Sequence, residues 1–127
     1  MSPSEPRTIL IVEDDFASRQ YLLLLLKKLQ YNSHAAETGE QALEMMKEKE
    51  ADMMLLDIAL GPGMSGLELG ASFKQDSRFT ETPMVAVTAF SKDKLHTLED
   101  AGFADYISKP YTMDQLRQML EKYLGEN

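Results

Sequence analysis

Met53-Met54-Leu55-Leu56-Asp57 sets four apolar side chains in a row and ends on a carboxylate. Alternate residues of a strand point to opposite faces, so an unbroken apolar run requires a sheet that is covered on both sides. Met84-Val85-Ala86-Val87-Thr88, introduced by Pro83, has the same character, and Ile9-Leu10-Ile11-Val12 is a third such run. The third run also leads into acid, Glu13-Asp14-Asp15, while a last stretch from Ala104 to Ser108 leads into Lys109-Pro110. If these runs are parallel strands of one sheet, their carboxyl ends share an edge, which is where open α/β sheets place their sites. Carboxylates and one amine would then meet in one small pocket.

The segments between these runs read as helices. Thr8 to Glu13 is followed by a helix over Phe16 to Leu29, with Asp14 or Asp15 available as its cap. Asn32 to Ala36 is a short strand. Thr38-Gly39-Glu40-Gln41 has capping-box spacing and opens a helix to about Lys49, with Ala42, Leu43 and Met46 on one face. Gly61-Pro62-Gly63 marks a loop, and a helix from about Gly66 to Lys74 follows. Ser91 is positioned to cap a helix ending near Gly102, where glycine suits a left-handed position. Thr112-Met113-Asp114-Gln115 repeats the capping-box spacing ahead of a helix in which Leu116, Leu120 and Leu124 recur every four residues. A βα unit repeated five times implies a parallel sheet with helices on both faces. Residues 1–7 read as a disordered tail, 8–124 as the folded domain and 125–127 as a C-terminal tail.

Composition excludes several function classes. With 127 residues there is room for one domain with a real core. A net charge of -8, with no basic run longer than Lys27-Lys28, disfavours direct nucleic-acid binding. The absence of cysteine removes disulfides, thiol catalysis and thiolate zinc sites. The longest apolar stretch, Tyr21 to Leu26, is far short of the roughly 20 residues that span a bilayer, so no membrane partner and a cytoplasmic location are expected. His34 and His96 stand apart from one another and receive no role.

Four motifs in register, Ile-Val-Glu13-Asp14-Asp15, Leu-Leu-Asp57, Val-Thr88-Ala89 and Tyr106-Ile107-Ser108-Lys109-Pro110, resemble those of a response-regulator receiver domain over Thr8 to Leu124. The resemblance implies a flavodoxin-like (βα)5 fold with strand order 2-1-3-4-5. It also implies a phosphorelay role, with a histidine kinase or histidine phosphotransfer protein as partner and Asp57 as phosphoacceptor. By the same resemblance Asp14 binds Mg²⁺ directly, Glu13 binds it through water, and the Ala59 backbone carbonyl joins Asp57 as a further oxygen donor. Thr88 and Lys109 would hold phosphoryl oxygens, Tyr106 would be a switch aromatic that turns inward when Thr88 moves, and Lys109-Pro110 would be cis. Residue chemistry supports this separately: a carboxylate can accept a phosphoryl group as an acyl phosphate, and three converging acids call for a hard, oxygen-preferring cation.

The chain departs from the family's usual pattern after Asp57, where Ala59-Leu60-Gly61-Pro62-Gly63-Met64-Ser65-Gly66 is one residue longer. Ala59 and Phe90 are apolar where similar proteins often carry polar groups that orient an attacking water, so a long-lived phosphorylated form is expected. Leu22, Leu25, Leu26 and Leu29 form the inward stripe of the first helix, which leaves Leu23 and Leu24 outward or sideways as part of a docking patch. A receiver cut from a hybrid histidine kinase or larger regulator is an alternative within the family. An aspartate-nucleophile Mg²⁺ phosphatase would want a second acid two residues after the nucleophile, where Ala59 stands, and a flavodoxin would want a phosphate-binding loop where Glu13-Asp14-Asp15 would repel phosphate.

Overall fold

The computed structural model describes residues 6–89 and 95–125. Five parallel strands, β1 (Thr8–Val12), β2 (Asn32–Ala36), β3 (Met53–Asp57), β4 (Met84–Thr88) and β5 (Asp105–Ser108), form one sheet in the order β2-β1-β3-β4-β5. Between and after them lie α1 (Phe16–Lys28), α2 (Gly39–Met45), α3 (Gly66–Lys74), α4 (Leu95–Asp100) and α5 (Met113–Leu124). This is the expected flavodoxin-like order.

The period-2 geometry of the strands divides the core in two. Ile9, Ile11, Met53, Leu55, Val85, Val87 and Ile107 face α1 and α5, where Leu22, Leu25, Leu26, Leu116 and Leu120 meet them. Leu10, Val12, Met54, Leu56, Met84 and Ala86 face the other way, toward Ala42, Met46, Leu69, Phe73, Leu98 and Phe103. Every residue of β3 and β4 is buried, which is why their sequences show no alternation. At about 1.5–3 kcal/mol for each fully buried aliphatic or aromatic side chain, these two layers supply most of the drive to fold.

Several boundaries differ from the sequence expectations for identifiable reasons. Helix α2 stops at Met45 rather than near Lys49. The Met46 carbonyl is taken by the Arg78 guanidinium at 2.7 Å, and the Lys47 N–H turns back three residues to Glu44. Only half of the capping box forms at α2: Thr38 accepts from the Gln41 N–H, but Gln41 Oε1 accepts from Glu37 rather than from the cap residue. At α5 both halves are present around Thr112 and Gln115, and α3 has a full box at Ser65 and Glu68 that had not been expected. A short 3₁₀ helix, Ser77–Phe79, lies in a segment that showed no such pattern. The Lys74 ammonium gathers that segment by donating to the carbonyls of Phe79, Thr80 and Thr82 at 3.0, 3.2 and 2.6 Å.

At the start of the chain, the Arg7 carbonyl accepts from the Asn32 N–H, one step ahead of β1. Gly102 takes the left-handed conformation expected of it, with φ 95°. The Ser91 cap and the tail residues 1–5, 126 and 127 lie outside the described residues.

Gly66 brings α3 against the end of β3. A Cβ placed there would lie 2.0 Å from the Asp57 carbonyl oxygen, which is backbone and has no freedom to withdraw. Gly66→Ala should therefore cost at least about 3 kcal/mol in denaturant unfolding, the upper part of the usual overpacking range. Gly61→Ala, with nothing within 4 Å of the added atom, should stay within about 0.5 kcal/mol of the parent. Equal stability of the two variants would contradict this account of the close approach.

Candidate functional site

Strand register alone assembles the site. Val12 pairs with Leu56, so Glu13 and Asp57, one residue further along, stand side by side at the carboxyl edge. Asp57 pairs with Val87, which puts Thr88 one step beyond it, and Thr88 pairs with Ser108, which puts Lys109 beyond that. Glu13, Asp57, Thr88 and Lys109 thus each stand at or one residue past the end of a strand, and for β1, β3 and β4 that is where the buried apolar run stops.

The three acids of the first loop divide their tasks. Asp15 leaves the cluster to cap α1, its carboxylate accepting from the Ser18 N–H at 2.8 Å. Glu13 and Asp14 remain, and their carboxylate oxygens lie with one of Asp57 all within 4.8 Å of one another. Glu13 and Asp57 are buried and Asp14 is exposed. The Lys109 ammonium reaches into this group, 2.7 Å from Glu13 Oε1 and 3.4 Å from Asp57 Oδ2. The Lys109-Pro110 peptide is cis, as expected. On its other side Asp57 Oδ1 accepts from the Ala59 N–H at 2.9 Å.

Electrostatics follows from this crowding. Burial raises the Glu13 carboxyl above its ordinary value, and Asp57 adds to the effect, against the lowering bonds from Lys109 and the Asp15 N–H. Burial would lower Lys109, but its bond to Glu13 and the charge of Asp57 hold it above its ordinary value. The two directions are compatible: the lysine's close partners are both acids, whereas Glu13 has one cation beside it and the acids Asp14 and Asp57 as well.

A cleft beside Asp57 is lined by Ile58, Ala59, Leu67, Thr88, Ala89, Thr97 and Lys109. The structure therefore brings together Glu13, Asp14, Asp57, Ala59, Thr88 and Lys109. Tyr106 is half-buried along a groove between β5 and α5 with Gln118, Met119 and Lys122. Thr97 of α4 enters the cleft with no signal in its local sequence, and Phe90 lies outside the described residues. On α1, Leu24 is 51% exposed, whereas Leu23 turns sideways and packs on the core layer beneath the helix.

The donor set suits a hard divalent ion. All candidate donors are oxygens, and three carboxylates against one ammonium leave two negative charges to be matched. Among the described residues no helix is long and apolar enough to cross a membrane.

Comparison with known proteins finds relatives of this chain. Residues 9–121 match the family described as the response regulator receiver domain. The polar-differentiation response regulator DivK of Brucella anthropi is 32% identical over 122 residues, covering 95% of this chain and 98% of that protein. The fold is similar to that of the chemotaxis response regulator CheY4 of Vibrio cholerae, with a TM-score of 0.89 at 24% identity over 94% of this chain and all of that one. It is also similar to the response regulator TrrA of Thermotoga maritima, solved in complex with Mg²⁺-BeF, with a TM-score of 0.82 at 28% identity over 93% and 99% of the two chains.

The raised Glu13 gives a signed pH effect. An unfolded glutamate titrates near 4.5 and the folded one higher, so between those values the folded chain holds the extra proton. That contribution to stability is complete below the unfolded value and is lost as pH rises through the folded one. In denaturant unfolding of metal-free protein across this window, the stability of the parent relative to Glu13→Gln should fall as pH rises, while acids held below their ordinary values, such as Asp105, contribute the opposite slope to both. Parallel pH profiles for parent and variant would contradict the assignment.

Proposed function

The chain belongs to the response regulator receiver domain family, and from that premise we propose that it is a phosphorelay switch whose acceptor is the Asp57 carboxylate. The observation that carries this reading is the meeting of Glu13, Asp14 and Asp57 with Lys109 at one sheet edge. The donor is a phosphohistidine on a histidine kinase or phosphotransfer protein. One Asp57 oxygen attacks phosphorus, the bond from phosphorus to the imidazole nitrogen breaks, and the nitrogen keeps the electron pair. In-line transfer of this kind asks the protein mainly for position and charge.

Each residue then has a defined task. Strand β3 delivers Asp57 to the edge with its backbone fixed by pairing on both sides. The Ala59 N–H holds Asp57 Oδ1 and so fixes the rotation of the carboxylate. Lys109, a compact cation already within reach of Asp57, is placed to hold a phosphoryl oxygen. The Thr88 hydroxyl is the second such donor. Glu13, Asp14, Asp57 and the Ala59 carbonyl would hold Mg²⁺, which when bound neutralises charge on the phosphoryl oxygens and on the carboxylates. Ala59 offers no polar side chain to orient a hydrolytic water, which favours a long-lived aspartyl phosphate. Movement of Thr88 toward the new phosphoryl group, followed by rotation of the Tyr106 ring, would carry the signal to the β5–α5 groove that Tyr106 lines. The acceptor assists its own phosphorylation and turns over no separate substrate.

Incubation with acetyl phosphate and Mg²⁺ should add about 80 Da, one phosphoryl group, to the intact chain and nothing to Asp57→Asn. Asp14→Ala should stay folded by circular dichroism yet take up the group more than about 100-fold more slowly, beyond the range for loss of a second-shell partner. Labelling of Asp57→Asn at the parental rate would overturn the choice of acceptor. An Asp14→Ala variant as fast as the parent would overturn the metal set.

A further inference from the structure

Four polar or charged side chains are buried among the described residues, and three of them, Glu13, Asp57 and Thr88, belong to the pocket. The fourth is Arg19, on α1, which none of the chemistry above employs. A guanidinium withdrawn from water is unfavourable unless its donors are used. Its Nη1 donates to the backbone carbonyl of Glu13 at 2.9 Å. Its Nη2 lies 3.9 Å from Glu37 Oε1, and the group packs 5.6 Å from the centre of the Phe16 ring.

The bonded oxygen identifies the task. The Glu13 carbonyl is part of the Glu13–Asp14 peptide, and a planar peptide fixed at its oxygen has its following Cα fixed as well. The Glu13 N–H is already bound to the Ala36 carbonyl at 3.1 Å, and the Glu13 carboxylate is held by Lys109 and by the Asp15 N–H. Arg19 adds a constraint at the Glu13 carbonyl, the oxygen of the peptide that leads into Asp14. We infer that Arg19 is a positioning residue for the acidic cluster, holding the Glu13–Asp14 peptide so that both carboxylates converge with Asp57 on one cation. The inference rests on the proposed reading of this pocket as a Mg²⁺ site.

Removing Arg19 has two effects of opposite sign. Loss of its charge favours cation binding, whereas loss of its tether scatters the donors. The second effect wins, because Mg²⁺ demands near-ideal octahedral geometry and the guanidinium is bonded to a backbone oxygen rather than to the carboxylates. Lysine keeps the charge but not the rigid fork that reaches the carbonyl while the group packs on Phe16.

Titration of ¹⁵N-labelled protein with MgCl₂ alone, followed by amide shifts, reads the effect without any phosphoryl chemistry. Arg19→Met and Arg19→Lys should each weaken Mg²⁺ binding about tenfold, as loss of an outer-shell partner typically does. Their phosphorylation by acetyl phosphate should return to the parental rate at saturating Mg²⁺. Unchanged or tighter binding in folded Arg19→Met overturns the inference, as does a rate that saturating Mg²⁺ fails to restore. Should Arg19→Met not fold, unchanged binding in Arg19→Lys overturns it alone. A parent protein with no saturable response would overturn the metal reading itself, and the inference with it.

Discussion

Like charge gathered at the carboxyl edge of the sheet sets the terms for its surroundings. Carboxylate oxygens of Glu13, Asp14 and Asp57 lie within 4.8 Å of one another. Two unit charges about 4 Å apart at an effective dielectric near 20 interact by about 4 kcal/mol, a large fraction of a small domain's net stability. Lys109 offsets part of this by touching both buried acids, which explains why it stays charged despite its own partial burial. The remainder is unbalanced negative charge, held in place by packing that has nothing to do with the site. On the proposed reading, that imbalance is what a divalent ion would match.

The scaffold tolerates this because its strands leave little room for relaxation. β3 lies between β1 and β4, is buried along its whole length, and ends at Asp57. Gly66 lets α3 press on the Asp57 backbone where any side chain would collide with the carbonyl. Glu13 is restrained at its N–H, its carbonyl and both carboxylate oxygens, by partners from β2, from α1, from Lys109 just past β5 and from its own loop. The longer β3–α3 loop is tied down from outside, its Met64 N–H donating to Glu40 of α2 at 2.9 Å. Preorganisation of this kind keeps mutually repelling groups from separating, which a flexible loop could not do.

Sequence reading reached the parts of this design that depend on local pattern. The apolar runs of β1, β3 and β4 reveal the sheet because full burial leaves no alternation, and the charged residues that end them mark the edge. Thr112 and Gln115 announce α5 because both halves of that box are intrinsic to the helix. Interactions between distant segments were not legible. Helix α2 ends early because Arg78, far along the chain, takes the Met46 carbonyl. Helix α1 ends with Gln30 at φ 70°, a conformation for which glycine is the usual marker and none is present. Arg19 reads as one more surface charge on an amphipathic helix, and only its three-dimensional neighbours, Glu13 and Phe16, distinguish it. Within the site, Asp57, Glu13, Asp14 and Lys109 could be picked out because each ends or follows a strand. Thr97 could not, since it enters the cleft from α4.

Borohydride trapping tests the identity of the acceptor most directly. Hydride reduces an aspartyl phosphate to homoserine and leaves free carboxylates unaltered, so tandem mass spectrometry of proteolytic fragments after treatment with acetyl phosphate, Mg²⁺ and borohydride reads the modified position. The account predicts homoserine at position 57 alone. Homoserine at position 14, or phosphate retained on a hydroxyl or imidazole with position 57 unmodified, would contradict it.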